Sequence, residues 1–124
     1  MTTQINGNTG VSRVQAGVIE ADDFDAALFL ASKSANGYSY LPNGLIVQWG
    51  IMNTINSETS GTLFNFPIAF PNAVYLINAT ARGVAGGAEC AEVYSVTNTN
   101  ARILSVNGSG TSLSSAMNWL AIGH

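Results

Sequence analysis

The chain has 124 residues, 47% of them hydrophobic and only 9% charged, with a formal net charge of −3. That length suits one domain, and a charged fraction far below the roughly 25% of an ordinary soluble domain leaves too few charges to solvate a full surface, so burial against copies of itself is expected. There is no basic stripe for a phosphate backbone, which argues against nucleic acid as a partner, and the apolar runs are broken by Asn, Gln, Gly or Ser well short of the roughly 20 residues a membrane-spanning helix needs.

Two regions differ in character. Residues 1–36 open with a polar, Gly-punctuated stretch, and Met1 to Gly10 is Asn/Thr-rich without the apolar segment of a secretion signal. A short helix is predicted over Ala21 to Lys33. Asp22 and Asp23 stand where N-caps stand, and Phe24, Ala27, Leu28 and Ala31 recur at i, i+3, i+4 and i+7. Lys33 falls in the last turn, and Asn36-Gly37 ends the segment.

Residues 37–124 read as strands separated by Gly/Asn/Ser turns. Leu45 to Met52 follows the turn Pro42-Asn43-Gly44. Both its odd positions (Leu45, Val47, Trp49, Ile51) and its even ones (Ile46, Gln48, Gly50, Met52) are mainly apolar, so this strand is expected to be covered on both faces. Further strands are predicted at Thr62 to Phe66, Ala73 to Ala81, Glu89 to Val96, Ala101 to Val106 and Ala116 to Ile122. The fourth and fifth of the six form a hairpin across Thr97 to Asn100. If the six run up and down in order, the loops Asn53 to Gly61, Arg82 to Ala88 and Asn107 to Ser115 share one end. Pro67 to Asn72 and Thr97 to Asn100 then share the other; a crossover connection would undo this grouping. The three long loops are rich in Gly, Ser, Asn and Thr, the usual composition and placement of binding loops on a rigid scaffold. Asn53, Asn56, Glu58, Arg82, Glu89, Asn107 and Ser109 are therefore the candidate ligand-binding residues, and a nearly uncharged polar surface suits a neutral ligand such as a sugar, or another protein face.

Catalytic chemistry finds little support. The single histidine, His124, is the last residue in the sequence, where fraying is expected. Glu58 paired with Glu89 or Glu92 would be the only carboxylate pair near a loop cluster, and solvated glutamates are the plainer reading. One Cys and one His give no metal-ligand spacing, and no catalytic residue, metal or cofactor is assigned. Cys90 is expected to be a small buried apolar residue. The run Gly83 to Gly87 lacks the ending of a phosphate-binding loop. Trp49 and Trp119, both inside apolar strands, are assigned to the core or to a subunit interface, whereas Tyr38, Tyr40 and Tyr94 are expected to be partly exposed.

Three stretches taken together resemble a known family. GYSYLPNGLIVQWG (Gly37 to Gly50), FNFPIAFPNAVYLINATARG (Phe64 to Gly83) and the ending NWLAIGH (Asn118 to His124) are similar to the C-terminal domain of bacteriophage and prophage tail fibres. The preceding GVSRVQAGVIEADDFDAALF (Gly10 to Phe29) resembles the short region that often lies upstream of it. The resemblance implies a mainly β fold: a small antiparallel β-sandwich with a short N-terminal helix, in an intertwined or closely packed homotrimer. Residues 1–36 would be a fibre-proximal linker and 37–124 the domain proper. It also implies a role, as the receptor-binding tip of a virion tail fibre. Such a tip is made in the host cytoplasm and joined to the rest of the fibre. It would attach to a bacterial surface glycan such as lipopolysaccharide, or to an outer-membrane protein, without entering the membrane. Leu41, Pro42, Gly44, Trp49, Gly50, Pro71 and Trp119 match the family's fold positions. The alternatives are a structural trimerising cap or particle decoration protein without receptor binding, and a small trimeric lectin.

Overall fold

The structure is a computed structural model and describes residues 30–82 and 88–124. These form nine strands: β1 (Ala31–Ser32), β2 (Gly37–Tyr40), β3 (Ile46–Asn53), β4 (Thr62–Asn65), β5 (Val74–Ala81), β6 (Glu89–Tyr94), β7 (Asn100–Asn107), β8 (Ser112–Leu113) and β9 (Ala116–Gly123). One sheet has the order β1-β2-β3-β9-β5. The other runs β4-β7-β6, with β8 paired to β7. Every pairing is antiparallel, and the β6–β7 hairpin turns where the sequence placed it.

The predicted helix meets a correction where it can be followed. Residues 21–29 lie outside the described region. Ala31 and Ser32 are strand, paired with Ser39 and Tyr38. Pairing to an existing sheet edge satisfies their backbone groups and outweighs a weak helical preference. Strands β1, β2 and β8 were not anticipated. Two-residue strands carry no readable alternation, and β2 is a Gly-Tyr-Ser-Tyr segment whose turn-like composition hides it.

The core lies between the sheets. Ile46, Phe64, Phe66, Phe70, Ala101, Ile103, Met117, Trp119 and Ala121 form one buried cluster. Phe64 lies 4.9 Å from Trp119 centroid to centroid, and Phe66 meets Phe70 edge-on at 5.1 Å. Such aromatic pairs contribute about 0.5–1.5 kcal/mol each beyond the area they bury. Pro67 and Pro71 cannot donate to a ladder, so the segment between β4 and β5 crosses the end of the sandwich. It is held there by Phe66 N donating to Thr99 O and Phe70 N donating to Asn98 O, at 2.9 and 2.8 Å.

Alternation along β3 separates its two faces. Ile46, Gln48 and Gly50 are buried inward, while Val47 and Trp49 are half-buried and Ile51 is exposed on the outer side. The second face of this strand is thus uncovered within one chain. Gln48, fully buried, completes its hydrogen bonding against the backbone of Ile68. Its Nε2 donates to Ile68 O at 2.9 Å, and its Oε1 accepts from Ile68 N at 3.0 Å. The side-chain amide thereby substitutes for a missing strand partner.

Candidate functional site

Strand order is not sequential, since β9 sits between β3 and β5. The loops nonetheless group as they would in a simple up-and-down sheet. Both β3 and β5 run antiparallel to β9, so both end beside its start: Asn53 faces Ala116, and Ala81 faces Met117. In the other sheet Asn107, the end of β7, faces Glu89, the start of β6. Successive long strands alternate in direction even as they switch sheets, and direction alone decides which end a loop occupies.

Hydrogen bonds tie two of these loops together. Thr54, 2% exposed, donates its hydroxyl to Leu113 O at 2.8 Å and accepts from Ser115 N at 2.9 Å. Thr54 N donates to Ser115 O, and Asn56 N donates to Ser114 Oγ at 3.0 Å. Arg82 N donates to Ala116 O at 2.8 Å, which brings the start of the loop after β5 to the same end. Gly61 and Gly110 close their turns with φ of 89° and 79°, a region that side chains other than glycine's enter at a cost.

The seven candidate residues divide into two groups. Asn53, Asn56, Glu58, Arg82 and Ser109 are exposed. Asn107 and Glu89 are half-buried and hold structure. Asn107 Oδ1 accepts from Ser109 N and Thr111 N, both at 2.9 Å, and so shapes its own loop. Glu89 Oε1 accepts from the buried Ser105 hydroxyl at 3.0 Å. Residues 83–87 lie outside the described region. The staple built on Thr54 was missed by sequence reasoning, because nothing local marks a threonine that bonds residues some sixty positions away.

Other expectations need correction. Cys90 is exposed, on the outward side of β6 opposite Val106. A strand with one uncovered face carries an apolar residue there as readily as inside. His124 does not fray: its N donates to Ala73 O, and its O accepts from both Asn72 N and Ala73 N. Its ring stacks on Tyr75 at 5.2 Å, with Nδ1 2.6 Å from the phenol oxygen. The two tryptophans take different places. Trp119 is core, whereas Trp49 is half-buried on the outer side and donates Nε1–H to Ser34 O at 3.0 Å. The Tyr94 hydroxyl donates to Glu92, which together with burial and the nearby negative charge holds its pKa above the ordinary 10.0. Among the described residues there is no cluster of His, Cys, Asp and Glu suited to a metal ion, and no helix long and apolar enough to cross a membrane.

Residues 40–124 match the model of the family described as "Putative tail fiber protein gp53-like, C-terminal". The chain belongs to this tail fibre family. Solved fibres have the same fold. The N-truncated R1-type pyocin tail fibre is 27% identical, with a TM-score of 0.60 over 87% of this chain and 99% of that one. A longer R1 pyocin fibre of P. aeruginosa is 26% identical, with a TM-score of 0.60 over 99% of this chain and 36% of that one. The R2 pyocin fibre of the same organism is 23% identical, and its TM-score of 0.66 is a likeness of fold. The tail fibre domain thus spans about a third of these two longer fibres, 36% and 34%. No curated protein sequence matches it. The family is one of tail fibre parts and not of enzymes.

Proposed function

We propose that this domain is the receptor-binding tip of a phage or phage-derived tail fibre, and that the end bearing Asn53, Asn56, Glu58, Arg82 and Ser109 meets the bacterial surface. One observation carries this reading. Tyr40 N donates to Leu30 O at 2.9 Å, and Tyr40 pairs with Ile46 at the opposite end of the sandwich from the long loops. The chain therefore enters the domain at one end and turns its Asn/Ser/Thr-rich loops to the other, as a distal contact surface requires. Residues 1–36 act as the fibre-proximal linker, whose last part pairs through Ala31–Ser32 with the edge of the attachment domain 37–124, assembled as a homotrimer. Glu89 and Asn107 serve the site by shaping it.

The ligand class that fits is a neutral, hydroxyl-rich glycan such as lipopolysaccharide sugar. Three exposed groups, Asn53, Asn56 and Ser109, are uncharged donors and acceptors, and Arg82 offers a planar fork of N–H donors to sugar hydroxyls. An outer-membrane protein is the other partner class such loops accept. Binding of the fluorescently labelled protein to bacterial cells, with a series of lipopolysaccharide truncations, tests this. Strain-selective binding abolished by one truncation is expected. An assembled protein that binds no strain across hosts lysed by the parent particle would refute it in favour of a structural cap.

A further inference from the structure

From the pattern of charge and exposure on the two sheets, we infer that the outer face of the five-stranded sheet is the surface through which copies of this chain assemble; the inference rests on the homotrimer proposed above and names its contact. The register fixes which side chains share that face. Leu76, Ile122 and Val47 lie in one row across β5, β9 and β3. Asn78, Leu120 and Trp49 form the next row, and Thr80, Asn118 and Ile51 the third. Leu76, Leu120 and Ile51 are 45%, 38% and 37% exposed, a contiguous apolar surface and not scattered residues.

Charge falls elsewhere. No strand of this sheet contains Lys, Arg, Asp or Glu. Among the described residues, Lys33, Glu58 and Arg82 lie in connections, while Glu89, Glu92 and Arg102 lie in the opposite sheet. The opposite sheet's outer face carries Arg102, whose Nη1 donates to Gly61 O at 2.7 Å, and the Glu92–Tyr94 pair. One face thus carries charged side chains and the other carries none. Trp49 also spends its only polar hydrogen on Ser34 O and presents the rest of its ring without a donor to satisfy.

Area points the same way. Three strands of eight residues, one of four and one of two, at about 3.4 Å per residue and about 4.8 Å spacing, span roughly 500 Å². That flat area, before the relief of the side chains is added, is more than half of the roughly 800 Å² that each partner buries in a standard interface. The occupant is a second copy because the whole sequence is short of charge: a chain 9% charged leaves this face without the solvating residues of a free surface. In a homotrimer the three copies turn this face toward the three-fold axis, where each meets both neighbours.

Sedimentation of the intact chain over a wide concentration range tests this, with three single lysine substitutions. Leu120→Lys and Asn78→Lys place a charge on the face. Leu63→Lys places one at a similarly exposed position, 48%, on the other sheet. Asn78 is already polar and exposed, so Asn78→Lys decides if Leu120→Lys fails to fold. The expected result is an assembled wild type, with the dissociation constant raised at least about a hundredfold by the first two changes and left unchanged by Leu63→Lys. An assembled wild type that both face variants leave intact overturns the choice of face while the homotrimer stands. Dissociation by Leu63→Lys alone moves the contact to the other sheet and likewise overturns it. A wild type that stays monomeric removes the homotrimer itself, and the cell-binding experiment still judges attachment separately.

Discussion

Buried polar side chains in this domain act as substitutes for backbone pairing, and their removal has calculable consequences. Gln48→Leu keeps the volume but leaves Ile68 N and O without the partners they have now. Each half-buried group so orphaned costs about 1–3 kcal/mol. With two such groups a loss of about 2–6 kcal/mol is expected from urea unfolding, more than the roughly 1.5 kcal/mol of a conservative core swap. Glycine 50 is bounded differently. A Cβ there would lie 2.6 Å from the Trp119 ring and against the Asn36 amide oxygen that accepts from Ile51 N. At Tyr94 the effect is one of pH. Its raised pKa means that the neutral phenol, donating to Glu92, is the favoured form. Any stability from this pair is present below the ordinary pKa near 10 and is lost as pH rises through the higher folded value. Glu92→Ala removes both the hydrogen-bond acceptor and the negative charge, so the phenol of that variant is expected to ionise at lower pH in a spectrophotometric titration.

Elements were legible where their length allowed a pattern to repeat. The six long strands were readable because Ile46, Val47 and Trp49 in β3, or Trp119 and Ala121 in β9, recur in runs bounded by turn residues. The strands β1 and β8 are the two-residue arms of local hairpins, Ala31 pairing with Ser39 and Leu113 with Ser105, and two residues are too few for an alternation to show. Residues at the end of the sandwich show the same divide. Asn53, Asn56 and Ser109 could be picked from composition, whereas the threonine that fixes their loops could not. Thr54→Val retains shape but loses the hydroxyl that bridges Leu113 O and Ser115 N. A loss of about 1–3 kcal/mol is expected. Amide exchange is expected to quicken selectively in residues 53–61 and 111–116, leaving the β3–β9 ladder protected.

At the scale of the whole molecule, stability and the proposed attachment draw on different parts of the same chain. The fold rests on the aromatic layer around Trp119 and on ladders remote from the loops, so exposed loop side chains are replaceable without penalty to the sandwich. Assembly adds a second separation. If copies join through the sheet face, each assembled particle presents its loop end several times in a fixed orientation. Linked sites then exceed the affinity of one site by about 10²–10⁴ through effective concentration alone. Asn78→Lys is therefore expected to weaken binding to whole cells by at least about a hundredfold while each loop end stays intact. A soluble, monovalent fragment of the same surface glycan should bind that variant and the wild type with equal affinity by calorimetry. Loss of fragment binding as well would place the lesion in the loop end and not in the assembly. The double substitution Asn56→Ala with Ser109→Ala should do the reverse: it weakens fragment and cell binding together, with sedimentation and thermal unfolding unchanged.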